Sequence, residues 1–409
     1  MQEISAAFEM EYKKDLNTKR IDIIYFISQI VIAFALFLLC YRLFYRQSIG
    51  YDGVLGNYPS DLQAHISYGI QGISYSLLIR TIGWLASNFG NEAVAVLESS
   101  MVVLTWYLAK GMIEKISGVK STISLYASLC LIFLANIHLP IYDYYYKERF
   151  VSQPWHNVTY IGMRLFAVLV ICYFIDFYKT YLSRIKWRNY FFVTLFLFLS
   201  TCVKPNFFIS FASALFIALI IDFARDDKRI KNLRKYYIVG STVFPSCAVL
   251  LIQSRMLYPS GLTAGDAGAN GIMLVWFANF FSIGIGMGIL KIFLCISLPA
   301  IVFIINKGGQ RDYKFIGLYF LVSFFIAYVF QESGPRTNDG NFFWGIQCAS
   351  YVFFVFSIGY FMKNWREGIP KGKTLSILYK TFCILLILGH VYSGLIFFNI
   401  VLCGGSYFI

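Results

Sequence analysis

Residues 23–43 read IIYFISQIVIAFALFLLCYRL, a run of 21 residues with one Arg and no acid. As a helix rising about 1.5 Å per residue, such a run fits a hydrocarbon layer about 30 Å thick. The run, Ile23 to Leu43, is too long for the apolar core of a secretory signal, and no small-residue cleavage site follows it, so it is expected to stay in the mature chain. Similar runs recur to the C-terminus, each bounded by short polar segments. The 409 residues are 58% hydrophobic, 19% aromatic and 14% charged, with a mean hydropathy of +0.64. A soluble core cannot hide that much apolar surface. The chain therefore reads as an all-α polytopic membrane protein, a single transmembrane domain over 1–409.

Basic residues in short loops stay on the cytoplasmic side, and here they alternate with the apolar runs. The basic segments are Lys13, Lys14, Lys19 and Arg20; Lys110, Lys115 and Lys120; Lys179, Arg184, Lys186 and Arg188. Further along come Arg225, Lys228, Arg229, Lys231, Arg234 and Lys235; then Lys307, Arg311 and Lys314; then Lys363, Arg366, Lys371 and Lys373. One hairpin fits between each pair, giving spans near 23–44, 93–109, 121–141, 160–178, 190–204, 206–224, 236–254, 287–306, 315–331, 342–362 and 376–400. Eleven transmembrane helices place the N-terminus in the cytoplasm and the C-terminus outside. The net charge of +14 follows from this bias and from anionic inner-leaflet lipid, with no need for nucleic acid. The many Lys, Ile, Phe and Tyr residues, with no retention signal, favour a bacterial plasma (inner) membrane.

No metal-ligand spacing, GxGxxG, Walker motif, GxSxG elbow or internal repeat is present, so cytosolic nucleotide chemistry is not expected. The nine cysteines are scattered through apolar runs and read as small buried hydrophobes. The spans carry almost no mid-membrane charge on this reading, and the residues able to do acid, base or anion work gather in the outer loops.

The first outer loop, 45–92, holds Tyr58, Pro59, Ser60, Asp61, Leu62, Gln63, Ala64 and His65. Pro59 suits a turn, and Ser60 or Asp61 can cap the helix that follows, which orients the acid. His65 lies one turn along the same face as Asp61. Asp61 reads first as a helix cap at the membrane surface, and capping does not exclude a chemical role. From Ile66 to Phe89 the chain is aromatic and amphipathic, as interfacial helices are, with Tyr68, Tyr75 and Trp84 interrupted by Gly69, Gly72 and Gly83. Asp52, in a Tyr-Asp-Gly turn, and Asp143 are the acids that would replace Asp61.

In the second outer loop, Tyr142 to Arg149 lead to Trp155, His156 and Asn157, where a titratable donor beside a flat aromatic suits a glycan or phosphate. Asn157, Val158 and Thr159 also match a glycosylation sequon weakly. Lys204, before Pro205 in a very short turn, either snorkels outward or binds an anion. Residues 254–286 are expected to form a flexible outer loop, of the kind that can act as a lid, leading into Trp276, Phe277, Phe280 and Phe281. The last polar turn carries Glu332 and Arg336, which either pair with each other or let the Arg grip a phosphate with two N–H groups.

With an acid soon after the first span, interfacial helices behind it, and basic or aromatic later outer loops, the layout resembles the GT-C superfamily of integral membrane glycosyltransferases. Asp61 is the residue that matches; many members carry two adjacent acids there, whereas Ser60 precedes Asp61 here. The resemblance implies inverting transfer from a polyprenyl phosphate or diphosphate donor to a glycan, lipid or protein acceptor, with Asp61 taking the acceptor's proton. Arg336 is the first candidate to stabilise the leaving phosphate and Lys204 the second, with His65, His156 and Glu332 binding substrate. A divalent metal is the one cofactor the resemblance allows. Rival readings are a polysaccharide polymerase, for which Arg336, Arg149 and Arg255 speak, a lipid-linked glycan transporter or flippase, and a structural membrane subunit.

Overall fold

The computed structural model describes residues 2–50, 52–53, 56–57, 60–137, 155–258, 271–281, 285–307, 309–337 and 340–405, and for 2–22, 52–53, 56–57, 279–280 and 335 the backbone alone. In chain order the helices are α1 (Gln2–Ile49), α2 (Leu62–Ile70), α3 (Leu77–Ser117), α4 (Thr122–Cys130), α5 (Val158–Thr180), α6 (Trp187–Val203) and α7 (Asn206–Arg225). They continue with α8 (Arg229–Ser241), α9 (Phe244–Leu257), α10 (Ala278–Phe281), α11 (Ile285–Ile305), α12 (Arg311–Val329), α13 (Phe343–Glu367) and α14 (Lys373–Leu402). Two short hairpins interrupt them: β1 (Asp52–Gly53) with β2 (Gly56–Asn57), and β3 (Gly271–Leu274) antiparallel to β4 (Phe330–Ser333).

Among the described residues, eight helices are long and apolar enough to cross a membrane, and nine if α8 and α9, bent by 40° at their junction, count as one. This is a polytopic α-helical membrane fold. Three of the expected spans differ in form, the one over 236–254 being broken between α8 and α9. The stretch expected as a span over 121–141 is helical only to Cys130, turns once as a 3-10 helix over Leu131–Phe133 and continues without helical structure to Ile137. The α6 helix, on the stretch expected at 190–204, has 17 residues, short for a crossing. Within the loop expected over 254–286, residues 271–274 are a strand held in register by Phe330–Ser333, and 259–270 lie outside the described residues.

α3 is 41 residues long, which at about 1.5 Å per residue is twice what a bilayer needs. It bends at Gly90, whose φ of 81° and ψ of 179° are open to a residue without a Cβ. The segment before the bend crosses α2 where Gly69 and Gly83 meet backbone to backbone; a Cβ on Gly83 would lie 2.2 Å from the Gly69 carbonyl carbon. Tyr68, Ile70, Ile73, Leu77, Trp84 and Phe89 stay exposed on this pair, the surface expected of interfacial helices. After the bend, α3 packs between α1, α5 and α13.

At the end of the bundle opposite α2, charges pair as they enter the apolar interior. Lys110 bonds Gln29 at 2.6 Å and Glu114 at 3.6 Å; Lys179 meets Asp312 at 2.6 Å; and Tyr178, Tyr181 and Arg311 all donate to Asp222. The expectation that spans carry almost no charge is overturned at Glu98 and Arg164, both with 0% exposure, and at Lys110. The cysteines are only partly as expected: Cys40, Cys295, Cys348 and Cys383 are buried, but Cys403 is exposed and the others are half-buried.

The non-helical stretch after α4 runs inside the bundle, where every backbone group needs a protein partner. Ala135 N donates to the His390 carbonyl at 3.2 Å and Ile137 N to the Leu294 carbonyl at 3.1 Å. Nδ1 of buried His390 lies 2.7 Å from the Ala135 carbonyl. A carbonyl brings no proton, so Nδ1 donates, and Nε2 accepts from Ser297 Oγ at 3.2 Å. α11 is itself irregular beside this point, at Ile296 and Pro299. Gly394 makes the approach of α14 possible, since a Cβ there would lie 1.5 Å from the Phe133 carbonyl oxygen. Gly394→Ala should therefore cost about 1–3 kcal/mol or more, read as a lower unfolding temperature of the detergent-solubilised protein.

Candidate functional site

Ser60 and Asp61 precede α2, where either side chain was a candidate cap. Ser60 Oγ takes that role, accepting from Leu62 N at 3.1 Å and donating to the His156 carbonyl at 3.1 Å. The Asp61 side chain makes no capping bond; its Oδ2 accepts from Asn157 Nδ2 at 2.9 Å instead. The Asp61 backbone N–H also donates to the His156 carbonyl, at 3.2 Å, which ties the start of α2 to the start of α5. The acid is thus aimed across the fold and is half-buried.

Asn157 joins these elements. Its Oδ1 caps α5 by accepting from Tyr160 N at 2.9 Å, and also accepts from Thr159 Oγ1 at 2.8 Å and from Lys204 Nζ at 3.5 Å. Three donors on Oδ1 fix the amide with Nδ2 toward Asp61. Asn157 is 5% exposed, so the sequon match names a buried residue whose amide is already committed.

Lys204 ends α6, and its extended backbone at φ −159° and ψ 124° opens the turn into α7. Its ammonium does not snorkel away: the residue is buried, donates to Thr159 Oγ1 at 3.1 Å and lies 4.5 Å above the Trp344 ring. A desolvated cation over an indole gains about 2 kcal/mol, which offsets part of the cost of burying it. Trp344 comes from the first turn of α13 and also meets Tyr160, centroids 5.6 Å apart, and His156 at 6.0 Å. Nothing in its own surroundings in the sequence marked Trp344, or Asn157 except as a sequon, as part of a site.

Both histidines belong to this cluster. Burial, and then the charge of Lys204, push His156 down to about 3 and His65 to about 4, so both imidazoles are neutral near pH 7 and each carries one donor and one acceptor. His65 Nδ1 is buried without a hydrogen-bond partner among the described residues. Trp155, whose place beside His156 suited a glycan or phosphate, is buried against Phe398, centroids 4.8 Å apart, and its carbonyl accepts from Gln47 at 3.3 Å; it is a core residue.

Glu332 and Arg336 form a second cluster. Arg336 Nη1 lies 3.4 Å from Glu332 Oε1, the pairing that was the alternative to a phosphate clamp. Tyr258 donates to the same oxygen at 2.7 Å, and Asn341 donates to Oε2. Burial and the Glu332 carboxylate both push the Tyr258 hydroxyl upward, so it stays a donor. The Asn341 carbonyl accepts from Asn206 Nδ2 at 2.6 Å, two residues beyond Lys204, and links the clusters. Asp61, His65, His156 and Lys204 therefore come together, while Glu332 and Arg336 are joined to them through Asn341 and Asn206. Arg255 is exposed on α9; Asp143 and Arg149 lie outside the described residues, as do the side chain of Asp52 and all of Tyr58 and Pro59.

Asp61 has the Asn157 amide as its hydrogen-bond donor, and the other end of that amide meets the Lys204 ammonium, a set that does not suit a divalent cation. Among the described residues no three His, Cys, Asp or Glu side chains gather as metal ligands. What the arrangement offers is a fixed carboxylate, a cation and two neutral imidazoles facing one region. No family model and no curated protein matches the chain.

An imidazole whose folded-state value lies below the unfolded value of about 6.5 takes up its proton more readily when the chain unfolds. The stability that His65 and His156 contribute is therefore full above pH 6.5 and is lost as pH falls toward 4 and 3. Unfolding temperatures in detergent should drop between pH 7 and pH 4, and His156→Gln should flatten that dependence. Asn157→Ala should cost about 1 kcal/mol or more through the lost cap alone, with a further loss from the released Asp61 and Lys204.

Proposed function

We propose that the chain is an integral membrane glycosyltransferase that moves a sugar from a polyprenyl phosphate or diphosphate donor to a hydroxyl acceptor on the outer face of the plasma membrane. The observation that carries this reading is the relay Asp61–Asn157–Lys204, which presents a carboxylate and a buried cation from one fixed amide. Asp61 takes the proton of the acceptor hydroxyl as its oxygen bonds the anomeric carbon. The bond from that carbon to the phosphate oxygen breaks with its electron pair, the configuration inverts, and Lys204 stabilises the charge on the departing phosphate. Lys204 now precedes Arg336 in that role, because the Arg336 guanidinium faces Glu332. His65 and His156, being neutral, suit hydrogen bonds to phosphate or acceptor.

The outward orientation is supported by the basic residues Lys115, Lys179, Arg311 and Arg366 at the end of the bundle away from α2. On this reading the bent α8–α9 pair and the two shorter apolar helices lie in the membrane beside the eight long helices of the described residues.

A second reading, transport of a lipid-linked glycan, draws on Glu98 and Arg164, which are fully buried inside spans. Purified protein in detergent, given a labelled polyprenyl-phosphate sugar, separates the two, since pure transport needs a sealed compartment and gives no turnover there. In that assay Asp61→Asn should lower kcat by about 10²–10⁴-fold and Lys204→Gln by about 10²-fold, with Arg336→Lys changing it little. Wild-type turnover by Asp61→Asn at equal folded protein would sink the mechanism.

A further inference from the structure

At the end of the bundle opposite α2, several basic residues are neutralised in place: Lys179 meets Asp312, Arg311 meets Asp222, and Lys115 reaches Asp176. The start of α8 differs. Asp226, the acid beside it, accepts three hydrogen bonds from its own neighbourhood, from the Lys228 backbone N–H at 2.9 Å, Asn232 at 2.8 Å and the Tyr236 hydroxyl at 3.0 Å. Lys228, Lys231 and Arg234 are exposed and form no ion pair among the described residues. The same holds for Arg184, Lys186 and Arg188 around the turn from α5 to α6. Lys235 Nζ donates to the Leu182 carbonyl, and Tyr181 and Tyr236 meet edge to face with centroids 5.7 Å apart, so the two basic segments are fixed side by side.

α8 carries an apolar stripe as well as charge. Ile230, Leu233 and Tyr237, at i, i+3 and i+7, share a face and are 74%, 56% and 64% exposed. At about 100° per residue, this stripe points away from Asn232, Tyr236 and buried Val239, the side on which α8 is held to the bundle. Arg229 borders it on one side, with Lys231 and Arg234 on the other. The stripe runs on to exposed Phe244 of α9, whose ring centroid is 6.1 Å from that of Tyr237. Tyr190 bonds Ser241 at 3.1 Å and Gln253 bonds the Thr201 carbonyl at 2.9 Å, so α6 runs parallel to α8 and α9. Exposed Trp187, three residues before Tyr190, therefore stands within about one turn of the level of Tyr237, four residues before Ser241.

A helix with an exposed apolar stripe bordered by basic residues lies at the boundary between acyl chains and headgroups. Trp and Tyr collect at that level, and Lys and Arg reach past them to phosphate. We propose that the first turns of α8, together with the turn from α5 to α6, form a binding surface for anionic phospholipid, with headgroup phosphates on the unpaired Lys and Arg side chains and acyl chains along the Ile230–Leu233–Tyr237 stripe. The general basic bias of the loops does not account for it, since here the cations lack acidic partners, come from two segments fixed together and flank apolar surface. Continuity of the stripe with Phe244, on an apolar helix, favours lipid over a soluble acidic protein. The proposal is independent of the transferase reading.

Lipid retention tests this. The full chain, reconstituted in phosphatidylcholine vesicles with a minor fraction of phosphatidylglycerol and re-extracted in mild detergent, should carry phosphatidylglycerol enriched at least about fivefold over the vesicles. Lys231→Gln with Arg234→Gln should reduce that enrichment at least about threefold, and Ile230→Gln with Leu233→Gln should also reduce it. Lys371→Gln with Lys373→Gln, exposed at the same end of the bundle, should leave it unchanged. All six side chains are exposed, and unchanged unfolding temperatures would show that each variant is folded. No enrichment in the wild type, or an equal drop in the Lys371 and Lys373 variant, would overturn the site. Displacement of the lipid by soluble polyglutamate, with the Ile230 and Leu233 variant binding as the wild type does, would assign the surface to an acidic protein and overturn the lipid.

Discussion

Inside a hydrocarbon layer no water is at hand, so each polar group must find its partner in the protein. Most of the chain meets this constraint with helices, whose backbone bonds are internal. The exception shows its force: where α4 gives way to non-helical backbone, the His390 and Leu294 carbonyls take the freed N–H groups, His390 and Ser297 form a side-chain bridge to Ala135, and Gly394 lets α14 come close enough. Two helices, α11 and α14, are adapted to a single interruption. A bulkier residue at one contact disturbs both of them.

The same constraint organises the end of the bundle that carries α2. Asn157 satisfies the first turn of α5, fixes Lys204 and holds Asp61, so one amide joins segments far apart in the chain. Because Ser60 does the capping at α2, the Asp61 carboxylate is left to face Asn157. The cost of burying the Lys204 charge is offset by the Trp344 face and by neighbouring oxygens, and burial, with that charge second, keeps the two histidines neutral.

Much of this was legible in the sequence. Long apolar runs mark most of the helices, because a span needs a certain length and polarity whatever surrounds it. Asp61, His65, His156 and Lys204 stood out as polar groups beside spans, and they meet in space. Less visible were the partners: Asn157 looked like a sequon, Trp155 stood out only as the aromatic beside His156 although it is core, and nothing near it in the sequence marked Trp344. The break after Cys130 escaped notice because its residues, LIFLANI, are as apolar as a helix; its partners lie on α11 and α14. Glu98 and Arg164 were visible as letters, yet their full burial depends on how α3, α5 and α13 pack.

By itself, the sequence determined where most apolar spans fall and the alternation of basic segments, since both depend on local composition and on the thickness of a bilayer. Tertiary structure alone decided which polar groups meet and which are buried: that Asn157 joins Asp61 to Lys204, that Arg336 faces Glu332, and that Glu98 and Arg164 lie fully inside the bundle. Burial and hydrogen bonding are properties of neighbours brought together by folding, and no spacing along the chain encodes them.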